Sequence, residues 1–186
     1  MARKKATSQV SEKPKVKIVQ KPINYDGNVH LKVMQGDTLV KRYDIKNSGT
    51  MRLFQGIGYF LSGSTINLSE YKPKYLSVGT GVVLQTTDPT MTSLYNEMNI
   101  SRILLNTDNI SLNAYINAVT IPLSAVIPYS TVTDSTISEL GLFSTPTSNT
   151  LLARVVVPSS TRITLKQGQS LVIEWDLVIQ NSKESN

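Results

Sequence analysis

The chain has 186 residues, 40% of them hydrophobic, which is enough for one well-packed domain but not for two of ordinary size. It contains no cysteine, which excludes disulfides, thiolate metal sites and cysteine nucleophiles. The net charge of +6 lies in residues 1–22, which hold seven basic residues against one acidic residue, so the remainder is neutral. A neutral body gives no support for a nucleic-acid-binding face on the folded part.

Residues 1–27 have the composition of a flexible basic arm, rich in Lys, Ser, Pro and Val and without a helical period. Between Pro14 and Pro22, charged and aliphatic residues alternate, a pattern typical of a strand that adds to the edge of another sheet. A solvated tail that only aids solubility is the alternative, and binding of nucleic acid by the arm is less favoured. The predicted docking residues are Lys15, Val16, Lys17, Ile18 and Val19.

Residues 28–181 predict a single β domain, and residues 182–186 a short polar tail. Residues 29–33 and 39–47 alternate as strands and are joined by Gly36 and Asp37, which favour a hairpin turn. Val, Ile and Thr are frequent in the domain while Ala and Glu are sparse, which favours strands over helices.

One helix is predicted from about residue 50 to residue 62, where apolar residues recur at spacings of three and four. Ser48 or Thr50 is the expected N-cap, and Gly63 the left-handed residue after the helix. We expect the helix to be buried, with its apolar face in the core. The predicted core residues of this face are Phe54, Ile57 and Phe60.

Further strands are predicted along the rest of the chain, at residues 75–78, 100–105, 110–123, 137–143, 151–157, 161–165 and 171–180. In the last of these, apolar and polar residues alternate, which indicates one buried face. Its predicted core residues are Leu171, Ile173, Trp175 and Leu177. Eight or nine strands and one helix predict a mainly β fold, specifically a β-sandwich, with the jelly roll as one form.

No residue pattern indicates catalysis, a cofactor or a metal. Catalysis of the serine-protease type needs a histidine base, and the only histidine, His30, lies inside an alternating strand. Gly79 and Gly81 belong to a glycine motif that lacks the lysine and the following helix of a phosphate loop, so a tight turn is favoured. We therefore predict a non-enzymatic protein without catalytic, cofactor-binding or metal-binding residues.

Several sequence blocks, taken in order, resemble a group of small β-rich virion proteins of tailed bacteriophages. The blocks are NSGTMRLF at 47–54, FLSG at 60–63, YLSVGTG at 75–81, LYNE at 94–97, ISELGLF at 137–143, LARV at 152–155 and IEW at 173–175. Proteins of this group decorate capsids, form head fibres, or belong to the neck, tail or baseplate. The resemblance covers about residues 29–181 and implies a structural role without catalytic residues.

The resemblance and the arm together predict an auxiliary capsid protein, of decoration or head-fibre type, attached through its N-terminal arm. A neck, tail or baseplate protein is the first alternative. A carbohydrate-binding module for host adsorption is the second, with exposed Tyr or Trp residues such as Trp175 as the sugar platform. Expected partners are capsid or tail subunits and further copies of the chain. We expect no cofactor and no membrane contact, synthesis in the bacterial host cytoplasm, and residence in the virion.

Overall fold

The structure is a computed structural model that describes residues 23–63, 65–81, 90–107, 111–113 and 118–181. It is mainly β, as predicted, and the described part contains one α-helix, α1 (Met51–Leu61). The strands are β1 (Ile23–Gln35), β2 (Thr38–Gly49), β3 (Tyr75–Gly79), β4 (Ile103–Leu104), β5 (Asn106–Thr107), β6 (Ser111–Asn113), β7 (Ala118–Pro128), β8 (Thr136–Ile137), β9 (Glu139–Phe143), β10 (Leu151–Val156), β11 (Ile163–Thr164) and β12 (Gln169–Asn181). Three short 3-10 helices span Leu68–Tyr71, Tyr129–Thr131 and Ser159–Thr161.

The first two strands form the predicted hairpin. They pair antiparallel around a turn at Gly36 and Asp37, in which Gly36 has a φ of +56°, a conformation that glycine adopts without strain. β1 begins at Ile23, so residues 23–27, assigned to the arm from the sequence, belong to the sheet. The predicted docking residues Lys15, Val16, Lys17, Ile18 and Val19 lie outside the described residues, as does the polar tail.

Ten strands form one antiparallel sheet in the order β4-β3-β9-β10-β2-β1-β12-β7-β5, with β6 paired to β7. The C-terminal strand β12 lies between β1 and β7 and pairs with both along most of its length. The strands at the two ends of this order, β4 and β5, belong to one short segment, residues 103–107. Within this segment, β4 pairs with β3 and β5 pairs with β7. This segment therefore hydrogen-bonds to both edges of the sheet.

Strands from both ends of this sheet order share one apolar core. Buried apolar side chains of β1, β7 and β12 form a single cluster with those of β3, β9 and β10. In the last strand, Leu171, Ile173 and Trp175 have no exposed surface and Leu177 is 3% exposed, so the face predicted from alternation lies in the core. Burial of each large side chain contributes about 1.5–3 kcal/mol before the loss of conformational entropy is counted.

The helix begins and ends where predicted, but it is not buried. Only Leu53 and Gly56 are buried, whereas Phe54 is 40% and Phe60 69% exposed and Ile57 is half-buried. The prediction that Phe54, Ile57 and Phe60 lie in the core is therefore wrong. Ile57 and Phe60 line an open groove between the helix and the sheet, whereas Phe54 is exposed and does not line it.

The ends of the helix show how it joins the sheet. Gly63 follows it with a φ of +65°, as predicted. Thr50 precedes it, but its hydroxyl does not cap the helix and instead donates to the carbonyl oxygens of Leu151 and Leu152 in β10, at 2.9 and 3.0 Å. The helix start is thereby tied to the sheet. Among the described residues, no helix is long and apolar enough to cross a membrane.

Candidate functional site

An open cavity of about 610 Å³, here called the apolar groove, lies between α1 and the end of the sheet. One wall is the apolar face of the helix and the other is formed by β7 and β12. Its lining residues are Leu53, Gly56, Ile57, Phe60, Leu61, Leu68, Tyr71, Lys72, Pro73, Val119, Ile121, Leu177 and Ile179. The volume lies in the range of sites that bind small molecules or a few side chains of a partner.

The helix wall is held in place through Tyr71, at the end of the 3-10 helix Leu68–Tyr71. The Arg52 guanidinium lies 4.9 Å from the centre of the Tyr71 ring, and the Tyr59 ring meets it edge-on at 5.4 Å. A Cβ atom at Gly56 would overlap the Cβ of Tyr71, so only glycine permits this approach. These contacts hold α1 against the 3-10 helix at Arg52, Gly56 and Tyr59, while Phe60 and Leu61 line the groove.

The sheet wall continues the core outward. In the register of β12 with β7, Leu177 pairs with Ile121, and Ile179 pairs with Val119. Leu177 belongs to the core cluster, whereas Val119, Ile121 and Ile179 are only half-buried. The apolar face of β7 and β12 thus continues from the buried core into the open groove.

Exposed apolar surface is concentrated in α1 and just after it, and part of this surface lines the groove. Of the eleven large hydrophobic residues that are exposed in the described part, six lie between residues 51 and 66. The two most exposed of these, Phe60 and Leu61, are 69% and 68% exposed and form the rim of the groove. Apolar surface that is clustered rather than scattered marks binding sites on soluble proteins.

A second feature is a buried ion pair between β9 and β10. Glu139 and Arg154 have no exposed surface, and Arg154 Nε donates to Glu139 Oε2 at 2.8 Å. The same carboxylate accepts backbone N–H bonds from Tyr95 at 3.2 Å and from Asn96 at 2.8 Å. Glu139 therefore anchors the irregular segment 94–98 to the sheet, and its oxygens are occupied by structural donors.

Two glycines leave room for this carboxylate. A Cβ atom at Gly79 would lie 2.6 Å from Glu139 Oε1, and one at Gly81 would overlap the same oxygen. Gly79 ends β3 and pairs both with Glu139 in β9 and, as an isolated bridge, with Glu97. The glycine motif interpreted as a tight turn is therefore a close-packing motif around a buried acid.

A further ion pair secures the same segment. Arg102, 5% exposed, donates from Nε and an Nη nitrogen to the Glu97 carboxylate at 2.8 and 3.0 Å. Its guanidinium carbon lies 3.5 Å from the centre of the Phe143 ring. Burial opposes ionisation of Glu97, but the hydrogen bonds from the arginine and its positive charge hold the Glu97 pKa below its ordinary value.

His30 belongs to a row of polar side chains that points away from the core. Its Nδ1 contacts the Asp44 carboxylate, to which Arg42 Nε also donates at 3.0 Å. These two hydrogen bonds lower the pKa of Asp44. On the same face, Lys32 Nζ lies 2.5 Å from Glu174 Oε1. The arrangement is a cross-strand ladder of charges, in which His30 has neighbours that stabilise a sheet surface.

The structure shows where the candidate site residues considered from the sequence lie. Trp175 has no exposed surface, so it cannot be a sugar-binding platform, and that form of the carbohydrate-binding alternative is wrong. Glu139 is one of several carboxylates that the sequence shows as scattered, and no signal indicated its burial beside Arg154. Within the described residues, no three His, Asp or Glu side chains are grouped in a way that would hold a metal ion.

Comparison with known proteins identifies no relative of this chain. No protein-family model, no curated protein and no solved structure matches this chain.

Proposed function

We propose that this chain is a non-enzymatic structural component of a tailed-phage virion, most specifically an auxiliary capsid protein of decoration or head-fibre type. The observation that carries the proposal is the apolar groove with its exposed rim at Phe60 and Leu61. A rim of this kind costs solubility in an isolated protein and becomes favourable when a partner covers it. The sequence blocks that resemble virion proteins give the class of assembly.

The fold offers a rigid base for such a role. We infer that the ten-stranded sheet is folded over into a sandwich, because side chains of both halves share one core. The segment 103–107 pairs with two residues of β3 and two of β7, so it covers part of each edge against unwanted strand pairing. The ion pairs of Glu139 and Glu97 attach the irregular segment 94–98 to this base.

The basic N-terminal segment supports attachment to a neighbouring subunit. It carries the entire net charge, so it can be drawn to an acidic surface while the neutral body avoids nonspecific adhesion. A neck, tail or baseplate location uses the same features and differs only in where the partner lies.

The experiment is quantitative gel densitometry of purified particles from the phage that encodes the chain, with and without residues 2–22. This deletion removes the arm alone, because β1 begins at Ile23. We expect a fixed and high copy number in wild-type particles, and the deletion variant to be lost from particles while it still folds. A low, fixed copy number favours the neck or tail, and absence from particles contradicts the proposal.

A further inference from the structure

We propose that residues 38–46 of β2, here called the edge segment, pair antiparallel with the same residues of a second copy about a two-fold axis at Tyr43. This contact joins the sheets of the two copies and makes the chain a symmetric dimer. It requires only the purified protein and does not depend on where the protein acts. Three features support it: an unpaired strand edge, exposed side chains, and the opposite charges of Arg42 and Asp44.

The edge segment has a neighbouring strand on one side. β2 pairs with β1 from residue 38 to residue 47, whereas β10 pairs on the other side with Ser48 and Gly49. Among the described residues, none forms a backbone hydrogen bond to that other side between residues 38 and 46. Segment 162–166 lies across a cavity of about 120 Å³ from it, and β11 in this segment pairs with β8. The edge segment therefore presents backbone donors and acceptors to a further strand.

The side chains of the edge segment leave it accessible to a partner. Leu39 and Val40 are 50% and 46% exposed, and the side chains of Arg42 and Asp44 are 50% and 58% exposed. A long exposed edge that carries apolar side chains is a template for pairing with another chain. An added strand would continue the hydrogen-bonded ladder and cover part of this apolar surface.

The charges select one register for the pairing of two copies. In a continuous sheet, opposed residues point to the same face, so the two-fold axis must pass through a residue of β2. With the axis at Tyr43, Arg42 of each copy lies opposite Asp44 of the other, and the two tyrosines form an aromatic cross-strand pair. An axis at residue 42 would oppose two arginines, and an axis at residue 44 would oppose two aspartates.

The end of β2 limits the register in the same way. An axis at residue 45 would place Arg42 opposite Ser48, where β10 already pairs. With the axis at Tyr43, the paired stretch runs from residue 40 to residue 46 and stops before β10. Asp44 pairs across the strands with His30 on its own copy, so an arginine of the second copy would extend the existing row of charges by one strand.

The first test is sedimentation velocity of the full-length protein over a range of concentrations, with charge reversals in the edge segment. Arg42→Asp and Asp44→Arg each place like charges opposite one another, and symmetry places each change in the dimer twice. The double variant Arg42→Asp/Asp44→Arg restores opposite charges with their signs exchanged. Lys72→Asp, a charge reversal at an exposed position outside β2, is the matched control. Thermal unfolding checks that all variants fold.

We expect a wild-type dimer whose dissociation constant is raised at least about 10-fold by either single reversal, restored in the double variant, and unchanged by Lys72→Asp. Mixing the two single variants should also restore dimers, because their charges are complementary to each other. A monomer at all concentrations, or a dimer that tolerates both single reversals, overturns the proposal. Tighter association of Arg42→Asp would show that a basic segment occupies the edge, and it also overturns the proposal.

A disulfide experiment locates the axis. The chain has no cysteine, so Tyr43→Cys supplies one thiol in each copy. The Cα atoms of directly opposed residues lie about 4.5–5.5 Å apart, within the range that a disulfide spans. Lys46→Cys is the control, since residue 46 lies opposite residue 40 and the two thiols would be about 20 Å apart.

Under mild oxidation, we expect covalent dimers of Tyr43→Cys and none of Lys46→Cys. Because Tyr43 packs partly against the core, thermal unfolding must show that its variant is folded. If that variant does not fold, an equal mixture of Lys41→Cys and Ile45→Cys tests the same register, since these positions lie opposite each other. Covalent dimers of Lys46→Cys, or folded variants that form no disulfide at the opposed positions, overturn the proposed axis.

Discussion

At the scale of single residues, the buried pair of Glu139 and Arg154 has the largest predicted effect on stability. Neither side chain contacts water, so removing one partner leaves the other charge uncompensated in the core. We expect Glu139→Gln to lower the free energy of unfolding by about 3–5 kcal/mol. Denaturant unfolding, followed by Trp175 fluorescence, measures the change.

The control for this prediction is a double-mutant cycle. Arg154→Met alone should destabilise the protein, and its combination with Glu139→Gln should cost clearly less than the two single changes added together, since the pair acts as a unit. Additive effects would show that the two side chains do not interact in the folded protein. Tyr95 and Asn96 donate to different oxygens of Glu139, so the single amide oxygen of the Gln variant can accept from only one of these two N–H groups, and part of the anchoring survives.

Glu97 supplies a prediction for pH. Because its pKa is lower in the folded protein than in the unfolded chain, its contribution to stability is complete above the ordinary value of 4.5 and is lost as the pH falls through the folded-state value. Glu97→Gln should therefore be less stable than wild type at pH 7, and the difference should shrink below pH 4.5.

The matched control for the pH prediction is Glu70→Gln. Glu70 lies 3.5 Å from Arg52 in an exposed pair, so its replacement is expected to change stability by less than about 1 kcal/mol at either pH. Urea unfolding at pH 7 and pH 3.5 measures both variants. A Glu97 difference that stays constant with pH would contradict the assigned ion pair with Arg102.

At the scale of elements, alanine substitutions at two glycines of α1 are expected to change the stability of the protein in opposite directions. Gly56→Ala places a Cβ against Tyr71 and should separate the helix from the 3-10 helix Leu68–Tyr71, at a cost of about 1–3 kcal/mol. Gly58→Ala has no atom within 4 Å of the new Cβ and should stabilise the protein by about 0.5–1 kcal/mol through its higher helix propensity. Thermal unfolding compares the two, and equal effects would show that α1 does not pack as described.

The same elements show what the sequence can and cannot predict. The β1–β2 hairpin, the limits of α1 and the alternation of β12 follow from local patterns, because turn glycines, helical spacing and period-two burial are properties of neighbouring residues. Burial of the helix face depends on how far the opposite sheet extends, and no local pattern contains that distance. Phe60 lines a groove and is exposed, but its spacing from the other apolar residues of the helix is the same as that of a core residue.

The sequence does not predict the apolar groove, for a related reason. The groove combines residues 53–73 with residues 119–121 and 177–179, which the sheet order brings together only after the C-terminal strand has paired with β7. Likewise, Glu139 and Arg154 are 15 positions apart and carry no motif, so their buried contact depends on the register of β9 and β10.

At the scale of the whole molecule, charge and apolar surface are segregated. The folded body is neutral and presents an open apolar groove beside its core, while the net charge of the chain lies in residues 1–22. Such a division suits a protein that is guided to its place by electrostatics and held there by apolar contact. We propose the structural role partly on this division of charge and apolar surface.

The most direct test of that role is cryo-electron microscopy of intact particles of the phage that encodes this chain. We expect a regular array over the head surface in which density for the 28–181 domain contacts its neighbours through α1 and the groove. Density confined to the neck or tail would replace the auxiliary capsid assignment, and particles without any density or detectable copy of the chain would contradict the structural function itself.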